Sequence, residues 1–402
     1  MIYLDNAATT RMLPEVLDAM LPYLTEYYGN AGSIYGIGRK ASKAVERARE
    51  QVAHFVGASP EQIIFTSGGT EANNLAILGV RDYLYQKGKK HIITSAIEHD
   101  SVLRAVAAIC NPLCHNDEKC IKDGFYPTYL GVTPEGVVSE SEFLSNVLYE
   151  TGLVSIMYVN NEVGSVNPVR SFGKFCRKND ILFHTDCVQA AGTHLLDVNT
   201  IGCDMMSISS HKIHGPKGVG ALYVKDKQTL SPIIYGGLSQ EFGARGGTEN
   251  VAGIVGFGKA CEIMSRNIAD YASRTTYYKK LFLLSLCNEL KGANMTIPLI
   301  INGCSAEEPG KVLNLTFKNI DAETLLLMLD TNGVCVSAGS ACRSHESEPS
   351  HVLVAMGVSS DDARSSIRVS FSRDNSEEDV RRAAAVLASC IVTLGGVVRI
   401  WK

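Results

Sequence analysis

The chain has 402 residues, 45% of them hydrophobic and 20% charged, enough to bury a sizeable core and to build two domains. Its formal net charge of −4, with acidic and basic residues interspersed, excludes a basic footprint for nucleic acid and a polybasic patch for a membrane. Small molecules and protein partners remain as the expected ligands.

At the N-terminus Asp5 interrupts the chain before any apolar run, so no secretory signal is read and the mature protein is expected to begin near Met1. Val16, Leu17, Met20, Leu21 and Leu24 then share one face of a helix predicted from Pro14 to Tyr27. A second helical repeat runs through Ala44, Val45, Ala48 and Val52, and Gly57 supplies its stop. Short β-branched runs follow at Ile63 to Thr66, His91 to Ser95, Val154 to Val159, Ile181 to Thr185, Met205 to Ser209 and Val219 to Val224. Their alternation with longer segments predicts an α/β fold with a largely parallel sheet. Between the second and third runs, Cys110, Cys114, His115 and Cys120 resemble a metal-ligand set, but their spacing matches no standard zinc pattern and no metal is expected there. After about Val255 the pattern loosens into a polar helical stretch, Arg266 to Leu290, and separated strands at Val312 to Phe317 and Val334 to Val336. A smaller α+β domain is expected to start there. The uncharged stretch Ala383 to Val398 is short for a bilayer span and suits a packed helix through Ala384, Leu387, Ile391 and Leu394. The twelve cysteines, scattered without paired spacing, fit a reducing cytoplasm.

Three segments carry chemistry. In the first, a buried strand runs through Gly68 and Gly69 into a helix opening at Thr70, where backbone N–H groups, the helix dipole and the Thr70 hydroxyl suit a phosphate. In the second, Asp186 ends a strand and would project from the carboxyl edge of the sheet, where a buried carboxylate needs a cationic partner such as a protonated pyridine nitrogen. The third is Ser209-Ser-His-Lys212, ending another strand with an amine that, beside a cationic neighbour and partly out of water, is nucleophilic toward an aldehyde. Taken singly, Thr70 and Asp186 also read as helix caps and Lys212 as a solvated surface lysine. In one chain they imply one ligand, with a phosphate, a ring nitrogen and an aldehyde.

Around these segments stand Tyr3-Leu-Asp-Asn-Ala-Ala-Thr9, Thr66-Ser-Gly-Gly-Thr-Glu71, Glu98-His99, Val159-Asn-Asn-Glu-Val-Gly164, Ser210-His-Lys-Ile-His-Gly-Pro-Lys-Gly218, Arg245-Gly-Gly-Thr-Glu-Asn250 and Gly339-Ser-Ala-Cys342. With these motifs the chain resembles, over nearly its whole length, the NifS/IscS-type cysteine desulfurases among the class V aminotransferase-like enzymes that use pyridoxal 5'-phosphate (PLP). The resemblance implies the PLP-dependent transferase fold type I. A large PLP-binding domain would span 15–255, and residues 1–14 and 256–402 would form the small domain carrying the cysteine loop.

It further implies that Lys212 binds the cofactor covalently and that His99 stacks on its ring and assists proton transfers. Gly69 and Thr70 would cradle the phosphate with Ser209 and His211, Asp186 would pair with the ring nitrogen, and Asn161 and Gln189 would meet the ring oxygen. Thr248 would reach the phosphate of a neighbouring subunit, which implies a homodimer. Arg368, together with Asn161, would bind the carboxylate of L-cysteine, a task suited to a bidentate guanidinium. Cys342 would accept the sulfur as a persulfide and pass it to an acceptor protein such as an iron–sulfur scaffold or a tRNA thiolation protein, whereas Cys335 reads as inert packing. Selenocysteine lyase and an ordinary class V aminotransferase are the competing activities, and a non-catalytic binding platform is the competing class. The chain departs from the family pattern at Tyr35, where a histidine is common, and at Phe371-Ser-Arg-Asp374, which replaces a Leu-Gly turn after Arg368.

Overall fold

The computed structural model describes residues 1–110, 124–293, 299–339 and 348–400. In chain order the described strands are Ile2–Tyr3 (β1), Ile63–Thr66 (β2), His91–Ser95 (β3), Tyr126–Leu130 (β4), Thr151–Ser155 (β5), Leu182–Asp186 (β6), Met205–Ser209 (β7), Gly220–Val224 (β8), Leu299–Asn302 (β9), Val312–Phe317 (β10), Val334–Cys335 (β11) and Ser366–Ser370 (β12). Seven of them form one sheet in the order β2-β8-β7-β6-β5-β3-β4, in which β8 alone runs antiparallel to its neighbours. The expected α/β fold with a mostly parallel sheet is what forms. Its central strands β3, β5 and β7 are buried along their whole length, because helices cover both faces and water reaches neither. The runs His91 to Ser95 and Met205 to Ser209 form as read, whereas β5 starts at Thr151 and ends at Ser155, ahead of the expected Val154 to Val159.

The second core is built on the antiparallel sheet β12-β10-β9, joined by the short parallel pair β1-β11. Ile2 and Leu4 pack into it with Leu313, Phe317, Val369 and Leu387. Each such side chain contributes about 1.5–3 kcal/mol on full burial. One helix, Val251–Gly292, serves both cores: Ile254, Phe257 and Met264 lie in the large core, Tyr278, Phe282 and Leu286 in the small one. The domain boundary expected at 255/256 therefore falls inside a continuous helix.

The helix expected from Pro14 to Tyr27 forms over Pro14–Thr25, but of its apolar stripe only Val16 is buried, while Leu17, Leu21 and Leu24 face outward. Gly57, at φ 70°, ends the helix Gly36–Val56 in the left-handed region that its sequence position suggested. Ala383 to Val398 lies within the helix Glu377–Ile400, and no helix among the described residues is long and apolar enough to cross a membrane. Cys114, His115 and Cys120 lie outside the described residues; Cys110 ends the helix Asp100–Cys110.

Candidate active site

The carboxyl ends of β2, β3, β6 and β7 open onto one cavity of about 220 Å³. This edge is where open α/β sheets take their ligands, since the connections there diverge and leave a crevice. Gly69, Thr70, His99, Asn161, Asp186, Gln189, Ser209, His211, Lys212 and Arg368 all line it. Thr248 does not; it is exposed, on a loop held by Glu241, whose carboxylate accepts from Arg49 at 2.8 and 2.9 Å and from the Phe65 N–H at 2.7 Å. Cys342 lies outside the described residues.

Two glycines shape the anion end. Gly68 precedes the helix Gly69–Leu78 at φ 155°, a conformation that disfavours a side chain. At Gly69 a Cβ would stand 2.8 Å from Val188 Cγ2. The helix start is thereby brought against Val188 and the end of β7, with the Ser209 hydroxyl in the same wall.

At the floor, Asp186 Oδ1 accepts from the Val188 N–H at 2.9 Å and Oδ2 from Asn73 Nδ2 at 2.7 Å. Asn73 Nδ2 also reaches Ser101 Oγ at 2.9 Å, and that hydroxyl meets His99 Nδ1 at 2.8 Å. Because the Ser101 N–H donates to the same Nδ1 at 3.1 Å, the neutral His99 ring carries its proton on Nε2. Beneath His99, the buried Glu98 carboxyl is pushed up to about 8 by desolvation, although Ser95 and the Met157 N–H donate to it.

Lys212 Nζ donates to the carbonyls of Ala7 and Ala8 at 2.6 and 2.8 Å. Its neighbour His211 is pushed down to about 3 by burial and by the charges of Lys212, Lys311 and Lys217, so the ring is neutral and bears on Thr9 Oγ1 at 3.2 Å. Arg368, in β12, donates through Nη2 to Asp5 at 2.8 Å and through Nη1 to the Asn161 carbonyl at 3.0 Å. Its Nε–H, like Asn73 Oδ1, Gln189 Oε1 and Ser209 Oγ, is buried with no partner among the described residues. Buried polar atoms cost free energy when unpaired, so four of them in one cavity mark a wall shaped for a polar ligand. The donor set fits a compound with an anionic group at Gly69, Thr70 and Ser209, a cationic ring nitrogen at Asp186 and an aldehyde at Lys212.

The Phe371 to Asp374 turn leaves Arg368 in this wall. Phe371 is buried against Phe282, and Ser337 exchanges backbone hydrogen bonds with Arg368 at 2.6 and 3.1 Å. Cys335 differs from its reading as core packing: it is only partly buried, on the edge pair β1-β11, and burial together with Asp330 and Asp5 pushes its thiol up and keeps it protonated. Sequence reasoning missed Asn73, Ser101 and the Ala7 and Ala8 carbonyls.

The model of the class V aminotransferase family matches residues 2–383. The chain belongs to that family. Among relatives, it is 42% identical to the cysteine desulfurase IscS of Methanosarcina thermophila, over 98% of this chain and 92% of that one. Among solved structures, a NifS-like protein matches with a TM-score of 0.84 at 34% identity, covering 98% of this chain and all of its own. SspA in complex with cysteine matches with a TM-score of 0.77 at 32% identity, over 92% of this chain and 99% of its own.

Proposed function

We propose that this class V enzyme is a PLP-dependent cysteine desulfurase: L-cysteine becomes L-alanine while its sulfur passes to Cys342 as a persulfide and then to an acceptor protein. The observation that carries the reading is the convergence of Lys212, Asp186 and the Arg368 Nε–H on one cavity, beside relatives that bear the same activity in their names.

Gly69, Thr70, Ser209 and His211 would hold the PLP phosphate, Asp186 the ring nitrogen, Gln189 and Asn161 the ring oxygen, and Lys212 the aldehyde carbon. When bound, PLP supplies an electron sink for the bonds at the cysteine Cα. Arg368 orients the amino acid by its carboxylate through Nε, and Asp5, already on Nη2, fixes the plane of the guanidinium. Lys212, released from its link, takes and returns the Cα proton, with the Ala7 and Ala8 carbonyls fixing its amine. His99 presents its Nε2 proton to the same space. The thiolate of Cys342 attacks the substrate sulfur, forming the S–S bond as the C–S bond breaks and its electron pair returns to carbon. The described residues at the two ends of the Cys342 segment support this role. Ser337 is hydrogen-bonded to Arg368, and Ser350 donates to Glu162 at 2.5 Å, next to Asn161. The outward-facing Leu17, Leu21 and Leu24, with the exposed Ile34 and Tyr35, support a homodimer.

The test compares Cys342→Ala with Cys335→Ala in the presence of cysteine and a reductant. The first is expected to keep the bound cofactor but to lose persulfide and nearly all alanine formation; the second stays active. Normal alanine production by Cys342→Ala would overturn the assignment.

A further inference from the structure

Among the described residues two lysines are buried, and their surroundings differ. Lys279 is satisfied: its Nζ donates to the carbonyls of Ser305 and Glu308 at 3.1 and 2.8 Å and meets Cys304 Sγ at 3.5 Å. Lys311, 2% exposed, makes one long donation, at 3.4 Å to the backbone carbonyl of Lys212. No described carboxylate stands within ion-pair distance of it. Asp5 is engaged by Arg368 at 2.8 Å, and Asp374 lies 3.7 Å from His214.

The charged groups that bear on Lys311 are Lys212 from the lysine loop and Arg368 from β12, and Lys311 in turn bears on His211, beside Lys217, and on His214, beside Arg373 and Asp374. An enclosed ammonium without an anion favours its neutral form, and a second ammonium nearby strengthens that preference in both. Burial, then the charges of Lys212 and Arg368, push Lys311 down to about 7.

We propose that Lys311 is a positioning residue for Lys212: buried behind the lysine loop with its Nζ toward the Lys212 carbonyl, it places a charge there that disfavours a proton on the Lys212 nitrogen. The inference rests on the reading of Lys212 as the lysine that links to the cofactor. It also gives the small sheet a hold on the chemistry. Lys311 directly precedes β10, its carbonyl accepts from the Phe371 N–H at 2.9 Å, and β10 pairs with the strand that carries Arg368.

The test uses the full-length holoenzyme with Lys311→Met, which removes the charge, and Lys311→Arg, which makes it permanent. Replacing a buried, unpaired cation by an apolar side chain is commonly neutral or stabilising, so the Met variant is expected to fold. Lys311→Gln provides the same comparison should it lose the cofactor. The visible absorption is titrated with pH, and borohydride trapping followed by peptide mass spectrometry identifies the linked lysine. We expect the absorption midpoint to rise by about one pH unit, a tenfold change in proton occupancy, in the Met variant and not in the Arg variant. An unchanged midpoint in the neutral variants, or equal shifts in Met and Arg, overturns the proposal. A label on a lysine other than Lys212 instead overturns the reading on which it rests.

Discussion

Both oxygens of Asp186 are engaged, one by a backbone N–H and one by Asn73, and Asn73 passes the contact to Ser101 and His99. The carboxylate is thus held rigid where a ring nitrogen would pair with it. Asp186→Asn removes the charge while keeping the shape, and turnover is expected to fall on the order of a hundredfold, with the protein still folded and cofactor-linked. Alanine formation and visible absorption read the two effects separately. Asn73→Ala cuts the link between the floor and His99, and a smaller loss is expected, without loss of the Lys212 link. For Arg368→Lys the fork geometry is lost, so KM for cysteine is expected to rise about tenfold or more, as a point charge replaces directed donors. A KM unchanged in steady-state assays would remove Arg368 from substrate binding.

The turn from β2 into the helix Gly69–Leu78 is the element on which the anion end depends. Gly69→Ala would press a methyl group against Val188, so the helix start or the Val188 side chain must give; cofactor affinity is expected to drop while far-UV circular dichroism stays unchanged. Adding Val188→Ala is expected to restore much of it, since the cavity created accepts the new methyl. This turn was legible in the sequence because glycines at a strand–helix junction have few other uses, and Asp186 and Lys212 were legible because each closes an apolar strand run. The Ala7 and Ala8 carbonyls were not, since backbone acceptors leave no residue signature. Edge strand β4 was missed because Tyr126-Pro-Thr-Tyr-Leu130 has one buried residue and no continuous apolar run. The helix Val251–Gly292 was read as starting at 266 because Gly256 and Gly258 look like loop residues. They are close-approach positions, where a Cβ would meet Met20 at 2.5 Å and Ala48 at 2.7 Å. Packing against helices distant in sequence cannot be seen in a local window.

At the scale of the whole molecule, buried histidines set the acid limit. His184 and His194 are pushed down to about 3 and about 4 by desolvation, and His184 is held by the Ser155 and Ser207 hydroxyls at 2.8 and 3.0 Å. In the unfolded chain each takes a proton below about 6.5, which the folded state refuses. Stability is therefore expected to fall as pH drops from about 6.5 toward 4, measured as the thermal midpoint across that window, and His184→Gln is expected to flatten the slope. The segment that fixes the Lys212 amine also imposes an order on assembly. Ile2 and Tyr3 pair with Val334 and Cys335, and Asn6 is bonded to Ser370, 364 residues away. During translation the large sheet has all its strands while the partners of residues 2–6 are still unmade, and contacts of such span close late. A nascent chain stalled before β11 would thus carry its lysine and its anion turn yet lack both the arginine and the strands that seat residues 2–6.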